Sequence, residues 1–225
     1  MTARATGAPV YVGRDRARAV SALLAGTSCD LVVTDDGLQH YSLHRDAEVA
    51  VLDRAWGLGN GRCLPAGPLR EPRQRLREVD IVVANGGPRA DLATASFQLR
   101  SGPLRPVTPS LASCVPPAIS QCIHAVAGIG VPERFFGALR DLGYEIIPHA
   151  FSDHHRFHRR DLAFADTRPI VMTAKDAVKC EAFDDGRFWY MPVEVVPDAP
   201  LVAAADALLR RLGPEDEPGK VTSGI

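Results

Sequence analysis

Two adjacent aspartates, Asp35 and Asp36, follow an apolar run and give the sequence its sharpest indication of chemistry. The run, LVVT over residues 31–34, predicts a buried strand, and the carboxyl ends of such strands are where open α/β sheets bind their ligands. Paired carboxylates in that position can hold Mg²⁺ directly or through its waters. Alternatively, one aspartate only caps the next turn, because Asp-Gly is a common turn dipeptide. Spacing alone leaves both interpretations open.

A glycine- and proline-rich segment, residues 54–72, is too long for an idle connection and is interpreted as a functional loop. Near its end Arg70 and Glu71 lie beside two prolines, which predict a stiff backbone. A guanidinium suits phosphate oxygens, and a carboxylate suits a metal or a hydroxyl. Both are therefore candidate site residues. The arginines that follow, at 73, 75 and 77, have the simpler interpretation of a solvated helix face.

The segment HAFSDHHRFHRRD contains four histidines and an aspartate in its first ten residues. They are His149, Asp153, His154, His155 and His158. Adjacent histidines rarely point at one ion, so the spacing is poor for a metal site. An Asp–His acid–base unit is the better functional hypothesis, because a carboxylate can orient the imidazole of a base. A polar turn with solvated imidazoles stays open as the alternative.

Two more motifs follow predicted strands. AGIGVPERF, residues 127–135, resembles the start of a dinucleotide fingerprint, but Glu133 stands where that fingerprint needs a small residue. Its charge would also oppose a pyrophosphate at the helix start, so we interpret the motif as a structural turn. In MTAKDAVKC, Lys175 and Lys179 are four residues apart and share one helix face, which could meet phosphates or only water.

The elements that must position these residues alternate along the chain. The predicted strands span residues 9–12, 31–34, 49–52, 81–84, 122–127, 144–147, 170–173 and 188–193. The predicted helices span residues 14–25, 132–142 and 201–212. Strands that are apolar on both faces indicate parallel sheets covered by helices, which is an α/β fold. Proline-rich punctuation predicts a first domain over residues 1–101, a linker over 102–119, a second domain over 120–213 and a flexible tail over 214–225.

Bulk composition excludes several classes of protein. The 225 residues are 46% hydrophobic and 24% charged, as in ordinary globular proteins. A net charge of −1 gives no general attraction to nucleic acid, so no nucleic-acid partner is expected. The five cysteines are irregularly spaced and include no C-x-x-C pair, which argues against a disulfide framework or a cysteine zinc site. No apolar run is long enough to cross a bilayer, and the fragment itself reads as cytoplasmic.

The order of the motifs resembles one family along nearly the whole chain. The blocks DDGLQHYSLHRDAEVAVLD, GNGRCLPAGPLREPRQRLREVDIVVANGG, AVAGIGVPERFFGALRDLGY, FSDHHRFHRRD, MTAKDAVKC and WYMPVEV, within residues 7–212, are similar to those of the tetraacyldisaccharide 4′-kinases. The resemblance implies a P-loop NTPase-like parallel sheet core with a second, smaller α/β domain. It also implies a peripheral enzyme of lipid A biosynthesis at the cytoplasmic face of the Gram-negative inner membrane. Such enzymes transfer the γ-phosphate of ATP to the 4′-hydroxyl of the lipid A disaccharide 1-phosphate.

Site residues are carried over from the resemblance by position, together with the cofactors ATP and Mg²⁺. The implied metal ligands are Asp35, Asp36 and Glu71. The implied cofactor-binding residues are Gln39, His40 and Lys175. The implied catalytic residues are His154, Asp153 and Arg70, with the imidazole assisting removal of the substrate's hydroxyl proton. His154 is preferred to His155 for that role.

Two departures from the family pattern bear on activity. The phosphate-binding loop G-x-x-x-x-G-K-[ST] does not occur in this sequence, and Ala174 stands where the family has glutamate in M-T-E-K-D. The sequence resembles the family from just downstream of an acidic GDEP segment, whose aspartate is the proposed partner of the histidine base. Without the loop, positioning of the β- and γ-phosphates is mostly lost. We expect an N-terminally truncated member with little or no kinase activity of its own.

Two alternatives to an active kinase stay open from the sequence. One is an inactive kinase remnant. The other is a metal-dependent phosphoesterase, because Asp35 and Asp36 followed by Asp153, His154 and His155 resemble the Asp-His-His phosphoesterases. That class also needs a spaced D-x-D near its start and a glycine-rich histidine motif late in the chain, and neither is present.

Overall fold

The structure is a computed structural model that describes residues 6–87, 91–108, 115–183 and 185–213. The chain divides into two compact units. Of the described residues, the first unit comprises Pro9–Leu99 and residues 195–213, and the second unit comprises residues 6–8 and Arg100–Glu194. Residues 195–213 were predicted to belong to the second domain, and this assignment is corrected by the division.

The first unit is built on a four-stranded sheet in the order β1-β2-β3-β9. Its strands are β1 (Val49–Asp53), β2 (Ile81–Asn85), β3 (Ala95–Ser101) and β9 (Val193–Pro197). The first three run parallel, with Val49 opposite Ile81 and Val83 opposite Ala95. Strands that follow one another in a parallel sheet end at the same edge, so the loop after β1 and the loop after β2 meet there.

Helix α4 (Ala199–Leu212) completes the core of the first unit, which explains the corrected assignment. Its apolar residues Leu201, Ala204 and Leu208 pack against a small cluster of Ile81, Val83 and Ala95. The helix begins at Asp198, whose side chain accepts a hydrogen bond of 2.8 Å from the N–H of Leu201. A carboxylate in that position satisfies one of the free N–H groups of the first turn.

The second unit is built on a five-stranded sheet in the order β4-β8-β7-β5-β6. Its strands are β4 (Arg105–Pro106), β5 (Cys122–Ala127), β6 (Glu145–Ala150), β7 (Ile170–Thr173) and β8 (Phe188–Met191). All neighbours run parallel except β4, which pairs antiparallel with β8. Because β4 lies within residues 102–119, that segment is partly a sheet strand and not only a linker.

Helices cover the sheet of the second unit. Helix α2 (Pro132–Asp141) buries Phe135, Phe136 and Leu139, and the chain turns away at Gly143, whose φ of +90° suits glycine. Helix α3 (Ala174–Cys180) starts directly after β7. Short 3₁₀ helices span Arg73–Arg77 in the first unit and Arg159–Leu162 and Glu181–Phe183 in the second.

Most predicted elements are confirmed, and two predicted strands are wrong. The helix predicted over residues 14–25 forms as α1 (Arg16–Gly26), and the strands predicted over 49–52, 81–84, 122–127 and 170–173 all form. The segments 9–12 and 31–34 form no strand. None of the apolar side chains in these segments is buried, Val12 being 93% exposed and Val33 85%, and no described strand pairs with either segment.

The described helices include none that combines the length and the apolar character needed to cross a membrane. The tail predicted over residues 214–225 lies outside the described part of the chain.

Candidate active site

Three predicted site residues of the second unit come together at the carboxyl edge of its sheet. Asp153 and His154 follow β6, and Lys175 lies in the first turn of α3, after β7. The ammonium of Lys175 donates to Asp153 Oδ1 over 3.1 Å, and the backbone N–H of His154 donates to the same oxygen over 3.0 Å. The imidazole Nε2 of His154 lies 3.6 Å from Asp153 Oδ2. The hydrogen bond from Lys175 holds the pKa of Asp153 below its ordinary value, so this carboxylate stays charged.

The two adjacent histidines, His154 and His155, differ in exposure and in contacts. The side chain of His154 is 76% exposed, and its backbone lies in the left-handed region, with a φ of +60°. The side chain of His155 is only 28% exposed. Its Nε2 lies 3.1 Å from Asp161 Oδ2, and its ring packs against Phe151 and Phe157. His154 is therefore free to meet a ligand, whereas His155 holds the loop together.

The glycine turn after β5 has a structural role, in keeping with its interpretation from sequence. The N–H of Gly128, which a bound phosphate would need, donates to Asp176 Oδ2 over 2.8 Å. Lys179, which shares a helix face with Lys175, donates to Asp176 Oδ1 over 2.7 Å. Both lysines therefore contact carboxylates of the protein, and neither is a free cation on the helix surface.

In the first unit Asp35 and Asp36 lie in an exposed turn. Asp36 adopts the left-handed region with a φ of +51°, and the carbonyl of Asp35 accepts a hydrogen bond of 2.6 Å from Arg16 Nη1. Within the described ranges neither carboxylate has a hydrogen-bond or ion-pair partner. Two free carboxylates fit Mg²⁺, which keeps several waters and takes only one or two protein carboxylates beside phosphate oxygens.

Gln39 and Glu71, which are distant in sequence, are brought together by the structure. Gln39 Nε2 donates to Glu71 Oε2 over 2.9 Å, and the hydroxyl of Tyr41 donates to Glu71 Oε1. Arg75 Nε lies 3.9 Å from the same oxygen. In the part of the chain that the structure describes, no three His, Cys, Asp or Glu side chains are grouped so that they could hold a metal. Metal binding by Glu71 stays a prediction.

An ion-pair network around Glu48 supports this loop and was missed by the sequence analysis. Arg45 Nη2 lies 2.7 Å from Glu48 Oε1, and Arg75 donates to Glu48 Oε2. Burial acts to raise the pKa of Glu48, but the hydrogen bonds from Arg75 and Arg45 outweigh it and lower that pKa. Arg75 was interpreted as part of a solvated face, and this is corrected by its contacts with three carboxylates, those of Glu48, Glu71 and Glu78. No local pattern signals a pair 27 residues apart.

The structure gives the positions of the other two predicted residues of the first unit, Arg70 and His40, but does not test their roles. Arg70 is exposed, and its guanidinium makes no hydrogen bond or ion pair with the residues described. His40 is half-buried, and its carbonyl accepts a hydrogen bond of 2.7 Å from Arg45 Nη1. Both stay candidates from the resemblance.

A second imidazole cluster lies on the sheet of the second unit, and only His149 of it was singled out from sequence. His124 on β5 is buried, with Nδ1 2.9 Å from His149 Nε2 and Nε2 2.9 Å from Asp166 Oδ1. The ring of Phe164 stacks on both imidazoles, at centroid distances of 4.0 and 4.1 Å. The hydrogen bond from His124 lowers the pKa of Asp166 to about 2, and burial together with His124 lowers the pKa of His149.

Comparison with a solved structure first shows the fold. The structure of LpxK from Aquifex aeolicus in complex with ATP matches with a TM-score of 0.57 and 23% identity, over 79% of this chain and 56% of that one. At that identity the likeness shows the fold alone, an α/β fold with parallel sheets, as the sequence analysis predicted. The family model for tetraacyldisaccharide-1-P 4′-kinase matches residues 1–212. The chain therefore belongs to the tetraacyldisaccharide-1-P 4′-kinase family, and the resemblance found from the motifs is confirmed.

Curated relatives agree with the family match. The tetraacyldisaccharide 4′-kinase of Alkalilimnicola ehrlichii is 51% identical over 94% of this chain and 63% of its own length. Those of Pseudomonas putida F1 and Pseudomonas aeruginosa LESB58 are 49% and 48% identical, and the chain covers 62% and 64% of them. The chain thus spans less than two thirds of the length of these relatives.

Proposed function

We propose that this chain carries the acid–base and metal-binding residues of a lipid A 4′-kinase. The reaction would transfer the γ-phosphate of ATP to the 4′-hydroxyl of tetraacyldisaccharide 1-phosphate. Family membership supports the reaction class, and relatives named tetraacyldisaccharide 4′-kinase support the substrate. The observation that carries the proposal is the grouping of Asp153, His154 and Lys175 at one sheet edge.

His154 would accept the proton of the substrate hydroxyl. Its exposed imidazole is free to approach a ligand, and its backbone N–H is fixed on Asp153. The nearby carboxylate of Asp153 favours the imidazolium that forms when the proton is taken up. Lys175 holds that carboxylate in place and keeps it ionised. The grouping can therefore serve as a base whose orientation is set before substrate arrives.

The residues of the first unit would serve the nucleotide. Asp35 and Asp36 would hold Mg²⁺, which supplies neutralisation of the phosphate charge when bound. Gln39 and Glu71 form a hydrogen-bonded pair that would line the nucleotide site with His40, and Arg70 offers a guanidinium to phosphate oxygens. Because the proposed substrate is a lipid, the protein would act as a peripheral protein at the cytoplasmic face of the inner membrane.

A chimaera tests the assignment, because the chain spans only part of its relatives. The matched region of the Alkalilimnicola relative is replaced by this chain, and transfer of label from γ-labelled ATP to the disaccharide 1-phosphate is measured. We expect transfer by the chimaera and a loss of about 100- to 10,000-fold in kcat for its His154→Gln variant. The matched control, His155→Gln, keeps an amide that can bond to Asp161 and should retain most of the activity.

Three results would count against the proposal. They are a folded chimaera without transfer, equal losses in the two histidine variants, and a loss confined to His155→Gln. The chain alone should give little or no transfer, because it lacks the phosphate-binding loop motif. Turnover by the chain alone near that of the relative would refute this last expectation.

A further inference from the structure

Asp176 is a fully buried carboxylate to which the proposed reaction gives no role. It lies in the first turn of α3 with none of its surface exposed. A charge in such a place destabilises a protein unless it is paired and hydrogen-bonded. Both oxygens of the Asp176 carboxylate accept hydrogen bonds. Oδ2 accepts from Gly128 N–H at 2.8 Å and from Thr173 Oγ1 at 2.7 Å. Oδ1 accepts from Lys179 Nζ at 2.7 Å.

These contacts join the ends of two strands at the edge that carries the acid–base group. Gly128 follows β5, and Thr173 is both the last residue of β7 and the N-cap of α3. Thr173 Oγ1 also accepts a hydrogen bond of 3.1 Å from the backbone N–H of Asp176, so the hydroxyl of the cap bonds to both the backbone and the carboxylate of Asp176. The start of α3 is thereby fixed against the end of β5.

Lys175 is the neighbour of Asp176 in that same first turn. Apart from the imidazole of His154, its ammonium is the only described basic group within 4.0 Å of Asp153. A lysine has a flexible four-carbon stem, so its reach to a given carboxylate depends on where the helix start is held. The spacing between β6, which leads to Asp153, and α3 therefore decides whether Lys175 and Asp153 meet.

We propose that Asp176 is a positioning residue that fixes the start of α3 so that Lys175 reaches Asp153 and orders the acid–base group. The proposal rests on the proposed function for its catalytic meaning. Its physical content, the dependence of the Lys175–Asp153 contact on Asp176, can be tested in the 225-residue chain without any phosphate transfer.

The pKa of Asp153 distinguishes positioning from the electric field of Asp176. Removing the negative charge of Asp176 would by itself make a nearby carboxylate easier to ionise and so lower the pKa of Asp153. Losing the hydrogen bond from Lys175 would raise the pKa of Asp153, because that bond is the main cause of its depression. The two explanations predict shifts of opposite sign.

The experiment measures the pKa of Asp153 by carboxyl-carbon NMR titration in four proteins: the unaltered chain, Lys175→Ala, Asp176→Asn and the double variant. We expect Asp176→Asn to raise the pKa of Asp153 toward the value in Lys175→Ala, with no further rise in the double variant. Asp185→Asn is the matched control, because Asp185 pairs with Arg187 in the same unit and should leave Asp153 unchanged.

A second variant carries the test if Asp176→Asn does not fold. Gly128→Ala changes no charge, and its Cβ would lie 3.2 Å from Asp176 Oδ1 and 3.4 Å from Phe157 Cζ, so the carboxylate must shift. It too should raise the pKa of Asp153. A fall or no change in that pKa in folded Asp176→Asn, or no change in Gly128→Ala, would overturn the proposal. Absence of kinase activity in any of these proteins would bear on the proposed function alone.

Discussion

The two units differ in how their sheets are covered. In the second unit both faces of the sheet are buried, one around Phe136, Leu139 and Ile123 and the other around Met172 and Leu162. In the described part of the first unit the apolar cluster is smaller and consists of Ile81, Val83, Ala95, Phe97 and the face of α4. Residues 6–48 contain no buried residue at all. The comparison teaches that apolar runs become strands only where a neighbouring strand and a covering helix are both available.

Polar contacts replace packing in much of the first unit. Helix α1 has no buried residue, and residues 37–43 are held by the guanidinium of Arg45, which donates to the carbonyls of Gly37, His40 and Leu43. Exposed or half-exposed ion pairs each contribute little to stability. We therefore expect the second unit to resist unfolding more strongly than the amino-terminal part of the first.

The largest effect should come from emptying the core of the second unit. Phe136→Ala removes a ring that is 1% exposed and should lower the free energy of unfolding by about 3–5 kcal/mol. Urea unfolding followed by the fluorescence of Trp189, which is buried in the same cluster, measures this. Leu142→Ala, at the exposed C-cap of the same helix, is the control and should change stability by no more than about 0.5 kcal/mol. Similar losses in both variants would contradict a packed core.

A middle-sized effect should separate two helix caps of the first unit. Asp198 caps α4 and also accepts a hydrogen bond of 2.6 Å from Ser96 Oγ on β3. Asp198→Ala should lower the free energy of unfolding, because α4 helps to form the core of that unit. Asp15 caps α1 with a hydrogen bond of 3.0 Å from Arg18 N–H, yet Asp15→Ala should cost less, because α1 buries nothing. Urea unfolding followed by circular dichroism measures both, and a larger cost for Asp15→Ala would reverse the comparison.

The extent to which sequence predicted this molecule follows the same division. Strands such as Cys122–Ala127 were predicted at their observed bounds, because an apolar run flanked by turn residues coincides there with a buried central strand. The run at 31–34 has the same local pattern, but pairing depends on what lies beside it, which local pattern does not contain. The assignment of residues 195–213 failed for a related reason, since Leu201 and Leu208 pack on strands more than a hundred residues earlier.

The candidate site divides in the same way. Asp153 and His154 are adjacent in sequence, and the parallel topology that brings Lys175 to them could be inferred from alternating strands and helices. Glu48, Tyr41 and the contacts of Asp176 were missed, because a lone acid or tyrosine in sequence carries no sign of its partner. The burial of Asp176 and the pairing of Glu48 with Arg75 depend on the tertiary fold.

Acid should weaken the second unit through its imidazole cluster. The pKa of His149 is lowered in the folded state from an ordinary 6.5, so neutral His149 adds stability that is complete above pH 6.5 and is lost as pH falls through the folded pKa. The pKa of Asp166 is lowered from 3.8 to about 2, so its contribution is complete above pH 3.8 and is lost toward pH 2. Stability should therefore fall in two steps on acidification.

Two variants assign the steps. His149→Gln can still donate to His124 Nδ1 but does not titrate, so it should remove the dependence just below pH 6.5 and keep the acidic step. Asp166→Asn should remove the acidic step. Urea unfolding by Trp189 fluorescence across the pH range measures both. A step below pH 6.5 that is unchanged in His149→Gln would place its origin in another histidine.

The smallest effect belongs to α1, and it is the most direct test of the comparison. Leu24 is 51% exposed on a helix with no buried residue, so Leu24→Ala should change the free energy of unfolding by no more than about 0.5 kcal/mol. Amide hydrogen exchange should show fast exchange along Arg16–Gly26 and slow exchange along β5 and β7, because opening of a segment without packing costs little. Strong protection of α1 would mean that its apolar side chains are covered in solution. In that case α1 would be a packed helix, and lack of a covering helix could not explain why segments 9–12 and 31–34 form no strands. The difference between the two units would then be explained only by the lack of neighbouring strands to pair with.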